Sequence, residues 1–347
     1  MIAYHVVAAA VAPGGPVEHR IREEILSLRE AGHQPLLIGA PALAEQIGAG
    51  AIAVRSRGPL SVFAGSGLAD QVKDSAKKLR PELLHAHGWD ALRPAHAVAK
   101  DLGVPLIADL VEPPTRGRHE AALAALADLA LTPAASVAQA IAALRGDAAS
   151  TRVCPGALDR ADLSHTAVEP LMLPAGREFL LVFAPLADGH LEPLLAGLDT
   201  ALAANAALHV LMMGQPIGAD AMKAISARGL VSRVTFGGHP PLGFLSRLVD
   251  GARAILFAIP DPGVVEPYAL LALASQSRIV STESAPARDV LADHAHYVGP
   301  SDAIGLGAAL LQAMKAPKRD EARLSSEFSR AALGERLLSA YRSVAAR

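Results

Sequence analysis

The chain has 347 residues, a net charge of −2, and 51% hydrophobic but only 3% aromatic residues. That length points to two domains at about 100–200 residues each, and the balanced charge excludes a basic surface built for nucleic acid. A core poor in rings must be built from Ala, Leu and Val, which favours layered helices and buried strands, while Cys154 as the only cysteine excludes an internal disulfide framework and fits a reducing compartment.

Ile2–Val11 reads as the first strand. Its apolar run Val6–Ala12 has no Lys or Arg before it and leads at once into a charged loop, so it reads as a buried strand rather than a secretory signal. That loop, Val11-Ala-Pro-Gly-Gly-Pro-Val-Glu-His19, sets Gly14 and Gly15 between the strand and a helix over Pro16–Ala31. Such a pair either lets a phosphate approach the backbone or makes the tight turn of a βα unit. Gln34–Gly39 follows as a strand entered through Gly32-His33, then Leu83–His87 as a strand, Ala91–Leu102 as a helix and Val104–Leu110 as a strand. The alternation makes a parallel sheet with helices on both faces. The Ala-rich segment Ala121–Leu144 is interrupted by Asp128, Pro133 and Gln139 and cannot span a bilayer, so the chain reads as cytoplasmic.

After Pro155 and the acidic stretch Asp159–Pro174 the alternation restarts, with strands at Phe179–Ala184, Leu208–Met213, Val234–Phe236, Ala254–Ala258 and Arg278–Ser281. Two doubly wound α/β domains follow, residues 1–165 and 166–347, joined near 160–177, with the last helix over Glu327–Arg347 packing back on the first domain. In such sheets ligands bind beyond the carboxyl ends of the strands, so two facing domains leave a cleft. Gly14, Gly15, His87, Trp89 and Glu266 all fall at or just after strand ends and are its candidate lining.

His85 and His87 alternate on one strand and share a face, but no third ligand stands near them in sequence, which favours structural or ligand-contact roles over a metal pair. Trp89 and Asp90 sit just past that strand, where an aromatic platform beside a carboxylate suits a sugar and a surface loop is the plainer alternative. In Pro262-Gly-Val-Val-Glu-Pro-Tyr-Ala-Leu270, Glu266 precedes an Ala/Leu helix, either as a ligand contact or as a solvated acid favoured by the helix N-terminus. Lys315, Lys318, Arg319 and Arg323 read as a solvated helix face, and Cys154 as a small buried hydrophobe.

The order of these landmarks resembles family 4 glycosyltransferases of the GT-B fold. Pro13-Gly-Gly-Pro-Val-Glu-His19 and Leu28-Arg-Glu-Ala-Gly-His33 resemble the family's Gly-Gly loop, helix and Gly-His entry to the second strand. The likeness continues through Arg80-Pro-Glu-Leu-Leu-His-Ala-His-Gly-Trp89, Leu102-Gly-Val-Pro-Leu-Ile107, Gly229-Leu-Val-Ser-Arg-Val-Thr-Phe-Gly-Gly238 and Leu337-Leu-Ser-Ala-Tyr-Arg342, spanning nearly the whole chain.

The resemblance implies a retaining, metal-independent transfer of sugar from a nucleotide-sugar donor on the second domain to a glycan or lipid-linked acceptor on the first. No cofactor is implied beyond that substrate, and no Asp-x-Asp triplet occurs. It implies Glu266 as the catalytic carboxylate, Gly14, Gly15, His190, Pro267 and Tyr268 as donor-binding, and His87, Trp89 and Asp109 as acceptor-side residues, with Asp109 and Glu112 standing where relatives often carry a His. The sequence departs from the family in three places. The usual diphosphate Arg and Lys are absent from Val182-Phe-Ala-Pro-Leu-Ala-Asp-Gly-His-Leu191, where His190 is the only substitute; one of the family's two spaced Glu is missing beyond Glu266; and an Asn-Gly is altered to Gly156-Ala157. These losses leave open a catalytically degenerate homologue that binds or assembles with a protein partner; peripheral membrane contact is a further open partner, and nucleic acid is not one.

Overall fold

The structure is a computed structural model that describes residues 1–7, 15–39, 51–53, 64–112, 118–159, 178–184, 191–214, 218–238, 240, 242–258, 266–275, 277–317 and 326–346. Two compact units emerge, Met1–Leu158 together with Ser325–Arg347, and Asp159–Leu324. The stretch 160–177, expected to join two domains, lies outside the described residues.

Unit one is a seven-stranded parallel sheet in the order β3-β2-β1-β4-β5-β6-β7. Its strands are β1 (Ile2–Val7), β2 (Gln34–Gly39), β3 (Ala51–Ala53), β4 (Leu83–His87), β5 (Leu106–Asp109), β6 (Leu129–Thr132) and β7 (Thr151–Val153). Helices α1 (Pro16–Glu30), α2 (Ala64–Lys78), α3 (Trp89–Leu102), α4 (Arg118–Ala124), α5 (Ala135–Arg145) and, from the far end of the chain, α12 (Arg330–Ala345) complete the unit. Every residue of β4, β5 and β6 is buried, as expected of strands covered on both faces. Alternation sorts their side chains. Tyr4, Val6, Leu84, Ala86, Leu106 and Ala108 meet α3 and α5 through Leu92, Val98, Val137 and Ile141. The opposite parity, Ala3, Leu83, Ile107, Leu129 and Leu131, meets Leu28 of α1 and Leu333, Leu337 and Tyr341 of α12. Two ion pairs add to this attachment: Arg330 binds the fully buried Glu23 of α1 at 2.8 Å and Glu30 at 2.9 Å.

Unit two is a six-stranded parallel sheet in the order β10-β9-β8-β11-β12-β13. Its strands are β8 (Phe179–Phe183), β9 (His209–Met213), β10 (Val234–Gly238), β11 (Ala254–Phe257), β12 (Ile279–Thr282) and β13 (Ala295–Val298). They alternate with α6 (Leu191–Ala204), α7 (Ala219–Ala227), α8 (Leu242–Gly251), α9 (Glu266–Ala274), α10 (Ala285–Leu291) and α11 (Ala303–Lys315). The scarcity of rings is matched by close helix packing. A Cβ added at Gly197 of α6 would stand 2.7 Å from Leu306, and one at Gly307 of α11 would stand 2.7 Å from Thr200, so α6 and α11 approach at glycine.

Each unit therefore repeats the 3-2-1-4-5-6 order of a doubly wound fold, with its switch point between β1 and β4 or between β8 and β11. The sequence expectation differs at five elements. It places no strands at β3, β6 or β7 of unit one, it leaves β13 unassigned, and it begins the helix after β4 at Ala91, whereas α3 starts at Trp89. Among the described residues no helix is long and apolar enough to cross a membrane.

Because Leu337 is fully buried against β4 and its neighbours, Leu337→Ala is expected to cost about 2–5 kcal/mol. Chemical denaturation reads this directly; an unchanged midpoint would contradict the packing of α12 on unit one.

Candidate functional site

The carboxyl end of the first sheet holds a polar cluster assembled by strand register. In parallel pairing His5 of β1 lies opposite His85 of β4, and His87 lies opposite Asp109 of β5. All four share the face that carries Ala3, Leu83 and Ile107 one step earlier, so the face turns from apolar to polar along the strands. Helix α1 matches the change. Leu28 packs on the apolar part, and one and two turns earlier Glu24 and Arg20 stand over the polar part.

Burial governs the chemistry of this cluster. His5, His85 and Glu24 are fully enclosed, Asp109 is 2% exposed and His87 6%. Arg20 grips Asp109 with two hydrogen bonds of 2.8 Å and donates a third, of 2.9 Å, to the Cys154 carbonyl. Such a fork is the strong form of a charge-assisted pair. Burial alone would raise the Asp109 carboxyl, but the Arg20 guanidinium, with His87 beside it, holds it well below the usual carboxylate range. His87 Nδ1 lies 3.6 Å from Asp109 Oδ2, and its Nε2 is 2.9 Å from His5 Nδ1. Tyr341 of α12 brings its hydroxyl to 2.8 Å from His85 Nδ1 and 3.4 Å from His5 Nε2. Burial, then the neighbouring imidazoles, push His5 and His85 well below the ordinary imidazole range, which leaves both neutral near pH 7. Burial likewise pushes the Cys154 thiol up to about 12, in keeping with a small buried hydrophobe.

The third ligand that the sequence around His85 and His87 lacks is supplied in space. One nitrogen from each of His5, His85 and His87 and one oxygen of Glu24 all lie within 4.8 Å of one another, an arrangement able to hold a metal ion. His5, Glu24, Arg20 and Tyr341 were not singled out by the sequence reading. The signal existed in part: His5 keeps the inward parity of Ala3, and Arg20, Glu24 and Leu28 follow a four-residue step. The register of β1 against β4, and the reach of a tyrosine more than 250 residues away from His85, are not written locally.

The remaining candidates fall separately. Gly15 caps α1 with φ −75°, a backbone region open to any residue, while Gly14 and His190 lie outside the described residues. Trp89 starts α3 and packs, partly buried, against the first core. In unit two Glu266 opens α9 and is 1% exposed, which corrects the alternative of a solvated helix-start acid. Pro267 and Tyr268 are buried after it. Tyr268 stacks on Phe183 with ring centres 4.8 Å apart, and Phe183 stacks on Phe257 at 5.0 Å, so rings fill the carboxyl end of β8 and β11. The carboxyl ends of β11 to β13 border a small depression lined by Leu194, Ala258, Thr282, Gly299 and Asp302. Its Asp302 already caps α11 by accepting from the Gly305 backbone N–H, which leaves it a weak ligand site.

No protein-family model matches the chain, and no curated protein sequence matches it. Solved structures do match. The chain is similar to the apo form of the lipopolysaccharide outer core galactosyltransferase WaaB, at 16% identity over 99% of both chains with a TM-score of 0.70. It is similar to Anabaena HepE in complex with UDP-glucose, at 16% identity over 99% of this chain and 98% of that one, TM-score 0.71. A sucrose-phosphate synthase from Thermosynechococcus elongatus matches at 16% identity over all of both chains, TM-score 0.72. At such identity the likeness is one of fold: a GT-B-like chain of two Rossmann-like units, the class expected from the sequence.

The Arg20–Asp109 pair is open to a double-mutant cycle. Asp109→Leu or Arg20→Met alone strands a buried charge and is expected to cost about 3–5 kcal/mol, whereas the double variant should lose less than the sum of the two. Additive losses measured by urea denaturation would contradict the pairing.

Proposed function

We propose that this chain is a family 4-type glycosyltransferase that moves a sugar from a nucleotide-sugar donor to a glycan or lipid-linked acceptor with retention, without a metal at the reacting centre. The observation that carries the reading is a doubly wound sheet repeated twice in one chain, each with a switch point at which nucleotides characteristically bind. HepE, which shares the fold, has been solved with UDP-glucose and with UDP. Uridine nucleotides are therefore the first donors to test.

In this reading the bond between the anomeric carbon and the diphosphate breaks while an acceptor hydroxyl oxygen bonds to the same face of the sugar, and the hydroxyl's proton passes to the departing nucleoside diphosphate. Glu266, at the N-terminus of α9 beyond β11, orients the donor hydroxyls, and Tyr268, stacked on Phe183, fixes the start of that helix. Pro267 shapes the same turn. Gly14 and Gly15 let the diphosphate approach the backbone, and His190 supplies the only imidazole in 182–191. On the acceptor side Trp89 retains partial exposure, while His87 and Asp109 act through the buried network behind their strand ends.

A specific observation favours a second reading. The segment Val182–Leu191 carries no Arg or Lys to meet a diphosphate, and a charge-assisted hydrogen bond contributes about 1.5–3 kcal/mol. A degenerate homologue that keeps the scaffold for binding or assembly would have this composition.

Titration with UDP, GDP and ADP, free and as sugar conjugates, separates the two. The enzyme reading expects donor hydrolysis or transfer, with Glu266→Gln lowering turnover about ten- to hundredfold at an unchanged thermal midpoint. Equal turnover in the variant would remove Glu266 from the mechanism; absence of binding and turnover with every one of these donors would favour the scaffold reading.

A further inference from the structure

We propose that His5, Glu24, His85 and His87 form a closed site for one divalent transition-metal ion of the zinc type, holding α1 against β1 and β4. This goes beyond glycosyl transfer and does not depend on it.

The argument is geometric. Four ligand atoms around a tetrahedral ion with bonds of about 2.0–2.1 Å lie about 3.3 Å from one another. Glu24 Oε2 is 4.0 Å from His5 Nδ1, 3.7 Å from His85 Nδ1 and 3.9 Å from His87 Nε2, and His5 Nδ1 is 2.9 Å from His87 Nε2. These four separations scatter about the tetrahedral edge and all the ligand atoms lie within 4.8 Å of one another, so the longest separation must close by up to about 1.5 Å for them to meet a common centre. A carboxylate oxygen nearly equidistant from nitrogens of three imidazoles is the arrangement of a coordination shell. In the structure these nitrogens hydrogen-bond elsewhere, His5 Nδ1 with His87 Nε2 at 2.9 Å and His85 Nδ1 with the Tyr341 hydroxyl at 2.8 Å, and a bound ion would replace those two bonds.

Groups behind the ligands fit the same role. Metal-bound imidazoles characteristically pass their second nitrogen to a carboxylate or another polar acceptor. His87 would keep Nδ1 toward Asp109, 3.6 Å away and locked by Arg20, and His5 would keep Nε2 toward the Tyr341 hydroxyl at 3.4 Å. Three imidazoles and one carboxylate suit zinc and its neighbours rather than magnesium or calcium, which take oxygen ligands. Four protein ligands in a fully enclosed site make it structural in type, without an open position for substrate.

The test uses the untagged full chain produced in zinc-supplemented medium, and again after chelation and refolding with Zn2+ or Co2+. Metal analysis should find one equivalent per chain after exhaustive dialysis, and removal of the metal should lower the thermal midpoint. Zinc-edge X-ray absorption of the unaltered protein should show three imidazoles and one oxygen donor near 2.0–2.1 Å. Glu24→Gln, nearly identical in shape, should weaken retention at least tenfold, as should His85→Gln. The proposal is overturned by three results: a chain that stays metal-free after refolding with either ion, an absorption spectrum lacking the imidazole shell, or full retention in both variants, which would place the metal elsewhere. Should the variants not fold, the absorption spectrum of the unaltered chain decides alone.

Discussion

A polar side chain set on the inward face of a parallel sheet covered on both sides must be satisfied inside the protein, and unit one places four such groups side by side. His5, His85, His87 and Asp109 occupy that face at its carboxyl end. Their partners come from the two helices that cover it: Arg20 and Glu24 from α1, Tyr341 from α12. The membership of the distant C-terminal helix in unit one follows from this need as much as from the apolar contacts of Leu333 and Leu337. A helix that supplies both a hydroxyl to the imidazoles and Arg330 to the buried Glu23 cannot leave without stranding polar groups in the interior.

The two units meet the same topological position with opposite chemistry. At the switch point of unit one the strand ends carry imidazoles and a carboxylate that bind one another. At the switch point of unit two Phe183 and Phe257 stack, Tyr268 covers Phe183, and the buried carboxylate Glu266 opens the next helix. The first is a closed polar interior; the second is a ring-filled floor with a single acid beside it. In the proposed reading this difference directs the donor sugar to unit two, while the cluster of unit one stands behind the acceptor side.

The long strands and helices are legible because their signals are local. Leu83–His87 and Gln34–Gly39 appear in the structure within the limits the apolar runs imply. β6 is hidden because Leu129–Thr132 lies in an Ala-rich stretch where helix and strand share one composition. β3 and β7 are three residues long, too short for any periodicity to show. At the candidate site, His87 and Asp109 are visible one at a time as polar residues at strand ends. That they meet, and that His5 and Glu24 join them, depends on register and on the rotation of α1, which are settled by tertiary packing. The burial of Glu266 is hidden for the same reason: acids are welcome at exposed helix starts, and the sequence does not show what covers one.

The central claim is that the carboxyl end of the first sheet is a sealed polar core. Nitrogen-15 NMR of the imidazoles tests it most directly, because each ring reports its protonation state and tautomer separately. The account predicts that His5 and His85 stay neutral, in one fixed tautomer and in slow proton exchange, through the pH range in which an ordinary imidazole titrates. Rings that titrate near the ordinary imidazole value of about 6.5 and exchange freely with water would show an open surface instead, and would contradict it.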